Sequence, residues 1–437
     1  MTPRTVTSLD VQDQEAVAAL RAHGYRVNDI QSLAHDQRPF ARRARALHRT
    51  IAPGLQLRSS SVDLGGGCFT NIYTLKADLD RVHVEAVSCA AGFHLRDLVT
   101  ATTGLAAISG SFSFISDDPS YQPAEPCLDL CCRGGEVMSL PTATKPALLV
   151  RSGQPVIDTM DATGTLALQN RLYQWAGSKT ARPGADHRPG ALTVFGAANC
   201  RILYSGHPRT GFLRRVDPDS NLTPLDSAAI DYVVAPSSGA GHRVVAVRTG
   251  GGTDLFAGNF VLRARRPWAR RVPCGTPVQI RQIAGRDVRE IQSGISLGPS
   301  VADAAAGHTP GYDACLGLSP FRDARHARTL VGLRGRTLVL QVLDGAPKSD
   351  TFRGTTPQET ATLCQAAGLD PHGMYHLDGG ASSKIAYRDR AVTRALGSLH
   401  YLKWPTTPSE PFRWQGLDGR TLRSALVLKA NHHEEHP

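Results

Sequence analysis

The chain has 437 residues, 41% of them hydrophobic, with 42 Gly, 28 Pro and a formal net charge of +11. That length can bury a large core as one big domain or two, and the composition is that of a loop-rich globular protein rather than a collagen-like or low-complexity one. No run approaches the ~20 apolar residues of a transmembrane helix, so no membrane partner is expected.

The first residues (MTPRTVTSLDVQDQEAV) lack the apolar stretch of a secretory leader, which points to the cytoplasm. Residues 1–58 read as a polar helical arm. Val17 and Leu20 lie on one stripe before Gly24, and 38–48 reads as a basic helix. Such an arm would pack on the main body or on a second copy of the chain. Alternation over 69–75 and 82–87 predicts two strands joined near Asp78-Leu79-Asp80. A short helix over 95–103 stops at Gly104, and 105–108 runs into a Ser109-Gly110-Ser111 turn.

The Pro-rich stretch 117–145 is a long, substrate-shaping loop by its composition. Short apolar runs at 147–150, 191–195, 230–234, 243–247 and 256–262 follow, punctuated by Gly- and Ser-rich turns, and predict hairpins. Gly250–Gly252 reads as a turn, since no helix pattern follows it as a phosphate loop would require. The cluster Arg263, Arg265, Arg266, Arg270 and Arg271 around Trp268 has the charge of a nucleic-acid surface but no accompanying motif, so no nucleic-acid partner is expected.

Nine cysteines are scattered along the chain, an odd number that predicts free buried thiols. Cys127, Cys131 and Cys132 lack the paired C-x₂-C spacing of a zinc site, so neither metal nor cofactor is expected.

The chemistry concentrates in the last third. Residues 336–343 form a strand ending at Asp344-Gly345. Thr356-Pro357-Gln358-Glu359 is a helix start, with Thr356 as cap, Pro357 at the first helical position and Glu359 closing a capping box. The helix should stop at Gly368. A second strand over 374–377 then ends in Asp378-Gly379-Gly380-Ala381-Ser382-Ser383. Two glycines after an acid allow a tight turn that gathers one carboxylate, two hydroxyls and free N–H groups, an assembly suited to an anion or a sugar. Strand, helix and strand together suggest a βαβ-type unit with acids at two strand ends, where ligands sit in open sheets.

These segments resemble the phosphodiester glycosidase family, which includes the lysosomal uncovering enzyme and bacterial proteins linked to exopolysaccharide. The resemblance runs, in order, through Ile108-Ser109-Gly110-Ser111-Phe112, Arg328-Thr329-Leu330-Val331-Gly332, Leu343-Asp344-Gly345 and Gly354 to Glu359. It continues through Leu377 to Ser383 and Arg420-Thr421-Leu422-Arg423-Ser424-Ala425-Leu426, and spans about residues 60–428. The opening segment 69–87 looks like the family's first hairpin, and 258–262 like its central strand. The chain departs from the family at Ser109 and Ser424, where it has Asn, at Ser111 and Ser113, at Ala346, where it has Arg, and at Ala381, where it has Gly. Loss of those donors implies a changed substrate or loss of turnover.

The resemblance implies an α+β fold, a large mixed sheet with flanking helices over 59–430, with a tail at 431–437. It implies hydrolysis of the anomeric C–O bond between a sugar and a phosphate, on a small anionic sugar phosphate, a nucleotide-type compound or a biosynthetic intermediate. Asp378 is the leading catalytic carboxylate, with Asp344 and Glu359 as rivals, and Glu359 has a second reading as a helix cap. Arg328 and Arg420 are expected to converge on Asp378 as phosphate clamps. Gly379, Gly380, Ser382, Ser383, Ser109 and Gly110 would line the substrate. A phosphatase or phosphodiesterase cleaving P–O, and a non-catalytic sugar-phosphate binder, remain as alternatives.

Overall fold

The run Thr337–Asp344 is apolar at nearly every position because both of its faces are covered. Leu338, Leu340 and Val342 enter one hydrophobic core, while Val339 and Leu343 enter another on the opposite face. That strand is central to the arrangement that positions the candidate site. The computed structural model describes residues 43–114, 127–179, 191–205, 213–218, 220–237, 241–266, 272–308, 325–345, 351–399, 401–403, 413–415 and 420–431.

A six-stranded sheet has the order Leu47–Ala52, Leu55–Gly65, Cys68–Asp78, Thr337–Asp344, Arg328–Arg334, Met374–Leu377, every neighbour antiparallel. A five-stranded antiparallel sheet runs Val392–Gly397, Lys384–Asp389, Ala106–Ser109, Leu422–Ala430, Val82–Phe93. A second one is built from Glu136–Ser139, Cys131–Arg133, Ile291–Ser296, Lys145–Arg151 and Gln154–Met160. Leu55, Leu75, Val84, Ile108, Leu148, Leu340 and Leu426, drawn from all three sheets, share one core.

Seven strands of a further, eight-stranded sheet close into a barrel. Thr163–Leu168, Arg171–Gly177, Ala191–Phe195, Phe260–Arg265, Ala229–Pro236, His242–Thr249 and Pro277–Ile283 follow one another, and the last pairs back to the first. Closure leaves this barrel no free edge. Leu166, Trp175, Tyr232 and Phe260 help to fill its core.

The fold is therefore mostly β rather than the α+β arrangement expected. Among the described residues the α-helices are Leu95–Ala101, Val301–Ala305 and Pro357–Ala366. The helix Pro357–Ala366 begins as its sequence dictates. Glu359 N–H donates to Thr356 Oγ1 at 3.1 Å, Thr356 N–H donates to Glu359 Oε2 at 2.9 Å, and Gly368 follows the helix at φ +69°.

Three expectations need correction. The helix does link two strands that point the same way, but Arg328–Arg334 lies between them and pairs antiparallel with both, so the βαβ-type unit is split rather than made of adjacent parallel strands. The strands 68–78 and 82–93 do not form a hairpin; the turn between them sends each into a different sheet. Residues 47–52 and 55–58 of the expected helical arm are strand, and Leu55 and Leu57 alternate into the core. Residues 1–42 of that arm, and 432–437 of the tail, lie outside the described residues. Among the described residues no helix is long and apolar enough to cross a membrane.

Candidate active site

The site forms where the strand Met374–Leu377 ends against the five-stranded sheet that carries Ala106–Ser109. Asp378 N–H donates to Gly110 C=O at 2.9 Å and Gly380 N–H to Ala327 C=O at 2.8 Å, which pins the turn between the two sheets. Gly380 has φ +60°, a conformation that few other residues adopt cheaply. Gly110 is required for another reason. A Cβ there would stand 2.7 Å from Ser424 Oγ and 2.8 Å from Ala425 N, so the Ser109–Ser111 turn can approach the strand Leu422–Ala430 only without a side chain.

Asp378 meets two partners. Ser382 Oγ donates to its Oδ2 at 2.6 Å and Arg420 Nη2 stands 3.1 Å from the same oxygen. Arg420 also donates to Ser382 Oγ. The Asp378 and Arg420 side chains keep 17% and 15% of their surface exposed, so this ion pair faces an opening. Burial pushes the Asp378 carboxyl up, while Arg420, Ser382 and the Gly379 N–H pull against it. Lys384, itself buried, donates through Nζ to Arg420 C=O and fixes the start of the segment that carries the guanidinium.

Behind the pair lies a layer of buried hydroxyls. Thr329 Oγ1 donates to Asp378 C=O at 2.8 Å and to Ser383 Oγ at 3.1 Å, and lies 3.3 Å from Ser109 Oγ. Ser424 Oγ donates to Ser111 C=O at 3.1 Å. Ser109 and Ser383 are fully buried, so they support the turn from beneath rather than face the opening. Ser398 N–H donates to Ser383 C=O at 2.8 Å, and Ser398 Oγ donates to Asp344 Oδ1 at 3.1 Å. The second acid is thus joined to the same layer. Asp344 is buried, accepts Gly345 N–H at 2.8 Å, and is pushed up to about 7 by burial. The neighbouring Tyr73 hydroxyl is raised by its own burial and, after that, by the Asp344 charge.

The expected residues therefore separate into groups. Asp378, Arg420, Ser382 and the Gly379-Gly380 turn come together, with Ser383, Ser109 and Gly110 directly beneath and Asp344 behind. Glu359 stands apart from them: it closes its helix cap and pairs with Arg325. Arg328 does not join Asp378. Side chains alternate along a strand, and Thr329 and Val331 face the shared core, so Arg328 and Leu330 face the helices. The Arg328 guanidinium donates to Thr355 C=O at 3.2 Å. Burial lowers it to about 10. Burial and its charge hold His376 neutral, at about 3, on that same face. The altered position Ala346 lies outside the described residues.

Thr329, Lys384 and Ser398 are the residues that sequence reasoning missed. Thr329 sits inside the Arg328-Thr329 motif and Lys384 directly follows the Ser382-Ser383 turn, so both had a local signal; Ser398, after a further hairpin, had none. Of the basic cluster, Arg263 forks onto Asp231 at 2.7 and 3.0 Å and Arg265 pairs with Asp226 at 2.7 Å. Cys127, Cys131 and Cys132 are buried, the first two in the core shared by three sheets.

Residues 273–426 match the phosphodiester glycosidase family model, so the resemblance carried by the motifs holds over this part of the chain. No curated protein matches the chain. Among solved structures, a hypothetical protein from Synechocystis superposes with a TM-score of 0.50 at 12% identity, covering 89% of this chain. The chain spans 64% of that protein, less than two thirds of its length, and the likeness is one of fold alone. A putative exported protein from Burkholderia pseudomallei gives 0.46 at 18% identity, with 83% of this chain and 74% of that one covered. The catalytic domain of zebrafish N-acetylglucosamine-1-phosphodiester α-N-acetylglucosaminidase, auto-inhibited by its pro-peptide, gives 0.34 at 12% identity, with 89% and 88% covered.

Proposed function

We propose that the protein hydrolyses the bond between the anomeric carbon of a sugar and a phosphate oxygen, on a glycosyl phosphate or nucleotide-type sugar. The observation that carries this reading is the partly exposed Asp378–Arg420 ion pair at a strand end, with the buried Ser382 hydroxyl bonded to both. The match of residues 273–426 to the phosphodiester glycosidase family supports the same class.

Phosphate leaves readily, so the reaction needs little general acid. It needs a charge to neutralise the leaving group and a carboxylate beside the anomeric carbon. Arg420 supplies the charge: a guanidinium fork holds an anionic oxygen without abandoning its own carboxylate partner. Asp378 stabilises the oxocarbenium-like state and takes the proton of the attacking water. The C1–O bond to phosphate breaks, water oxygen bonds to C1, and the proton passes through Asp378 to solvent. Ser382, held by both groups, keeps Asp378 Oδ2 oriented, and the Thr329–Ser383–Ser109 layer keeps the turn rigid.

A non-catalytic reading draws on one observation, that Ser109 and Ser111, where the family carries other residues, are buried. Turnover in ¹⁸O-water across a panel of glycosyl phosphates separates the readings. Label in the released sugar is the expected result. Label in the phosphate means P–O cleavage, and binding without turnover means a receptor; either outcome ends the glycosidase reading.

A further inference from the structure

Behind the Ser109–Ser111 turn lies a pair of thiols that the chemistry around Asp378 does not use. Cys131 opens the short strand Cys131–Arg133 and pairs with Ile295, and both enter the core shared by three sheets. Side chains alternate along a strand, so the next residue, Cys132, enters the core that holds Leu166 and Tyr232 instead. Cys127 precedes Cys131 across a bend that is anchored twice. Leu128 N–H donates to Phe112 C=O and Leu130 N–H to Ser296 Oγ, each at 3.0 Å. The bend returns Cys127 to the same core as Cys131.

There the two thiols hydrogen-bond to each other. Each also faces a serine of the five-stranded sheet opposite, Cys127 meeting Ser424 and Cys131 meeting Ser88. Ser424 and Ser88 are cross-strand partners, on the face from which Ala86 and Leu426 enter this core. The pair is continuous with the candidate site. Ser424 Oγ donates to Ser111 C=O at 3.1 Å, and Ser424 C=O accepts Gly110 N–H at 3.0 Å. The shared hydrogen bond pulls the Cys131 thiol down and holds the Cys127 thiol up, which makes Cys131 the readier nucleophile.

We propose that Cys127 and Cys131 are a modification site, joining in a disulfide when the chain matures in the presence of a disulfide oxidant and bracing the Ser109–Ser111 turn from behind. Oxidised glutathione serves as that oxidant. The Cys131 thiolate attacks one of its sulfurs and displaces one glutathione thiolate. Cys127 then gives up its proton, attacks the Cys131 sulfur of the mixed disulfide and displaces the second. Two protein thiols are oxidised, one glutathione disulfide is reduced to two thiols, and the two protons pass to them. Both cysteines are sealed in the native chain, so the exchange runs while the sheets are still apart, and the finished bridge is shielded from reductant.

The bond is mapped by refolding the reduced, full-length chain into graded mixtures of oxidised and reduced glutathione. Each sample is quenched with acid, alkylated under denaturing conditions and digested. A second sample, never unfolded, is held in the same mixtures just below its denaturant transition. In at least one of the two, a peptide carrying Cys127 and Cys131 should be two hydrogens lighter and take no alkyl group until reduced, with Cys132 not joined to it. Cys132→Ser should keep the bridge, and Cys131→Ser should lose it. Hydrogen exchange at the Gly110 amide should be several-fold slower in the oxidised than in the reduced wild type, with no such difference in Cys131→Ser. Both cysteines open to alkylation in both samples, a bridge that uses Cys132, or equal exchange at Gly110 in the two redox states overturns the proposal.

Discussion

Asp344 and Asp378 end the strands on either side of Arg328–Arg334 with the same Asp-Gly signature, yet they sit in opposite circumstances. Asp378 has a guanidinium at 3.1 Å and an opening to solvent; Asp344 is sealed, with hydroxyl and amide donors but no cation partner among the described residues. A cation at an open carboxylate can be shared with an incoming anion, whereas a sealed carboxylate is governed by its desolvation. A strand end alone therefore does not define a reactive acid. The groups brought against it by other parts of the chain do.

The largest effect expected from breaking this contrast is on turnover. Asp378→Asn keeps the shape of the turn and removes the charge, and should lower kcat by about 10²–10⁴-fold in a folded protein. Near wild-type kcat on a verified substrate would remove Asp378 from the chemistry.

Asp344 makes a prediction of the other kind, about stability against pH. Its carboxyl, ordinarily near 3.8, lies near 7 in the folded chain, so the native state holds that proton more tightly than the unfolded one. Below pH ~4 both states are protonated and the group contributes no penalty. Between about 4 and 7 the unfolded chain loses its proton first and native stability falls; above 7 the loss is complete, on the order of 4 kcal/mol. Asp344→Asn should therefore be more stable than the wild type at pH 8, with the gain shrinking toward pH 4. Denaturant titrations at pH 4, 6 and 8 that show a constant difference would defeat this account.

The smallest effect sharpens the comparison between the two arginines. Arg420→Gln should weaken phosphate-bearing ligands by roughly 10- to 150-fold relative to neutral sugars of similar shape, as expected when one charge-assisted contact is lost. Arg328→Gln, on the helix face, should cost about 1–3 kcal/mol of stability through its contacts at Thr355 and leave ligand preference unchanged. Calorimetric binding and melting curves on both variants give the answer. A selective loss of phosphate affinity in Arg328→Gln would restore it to the site.

Much of the site was legible because its signals are local. The acid-glycine-glycine turn and the Thr356–Glu359 capping box each need only a handful of neighbouring residues, and both stand where their chemistry puts them. The face that Arg328 occupies was not legible, since it depends on the register of Thr329 against Leu377, a pairing fixed by tertiary structure. The barrel was hidden for a related reason. Its short strands announced hairpins, but closure rests on Thr163–Leu168 meeting Pro277–Ile283, and nothing near either segment records that contact. Part of the excess helix came from reading residues 1–58 as a helical arm, where Leu55 and Leu57 carry a strand alternation instead.

The pieces of the site are also far apart along the chain. Ser109 meets Thr329 across 220 residues, its contact with Lys384 spans 275, and Ser424 reaches Ser111 across 313. Contacts of that separation carry the largest loop-closure cost and form late in folding. The barrel between them is made from nearer partners and can mature first. The site's geometry is therefore expected late in folding, when the strand Leu422–Ala430 takes its place between Val82–Phe93 and Ala106–Ser109. Until that moment the chain holds every residue of the site and none of its geometry.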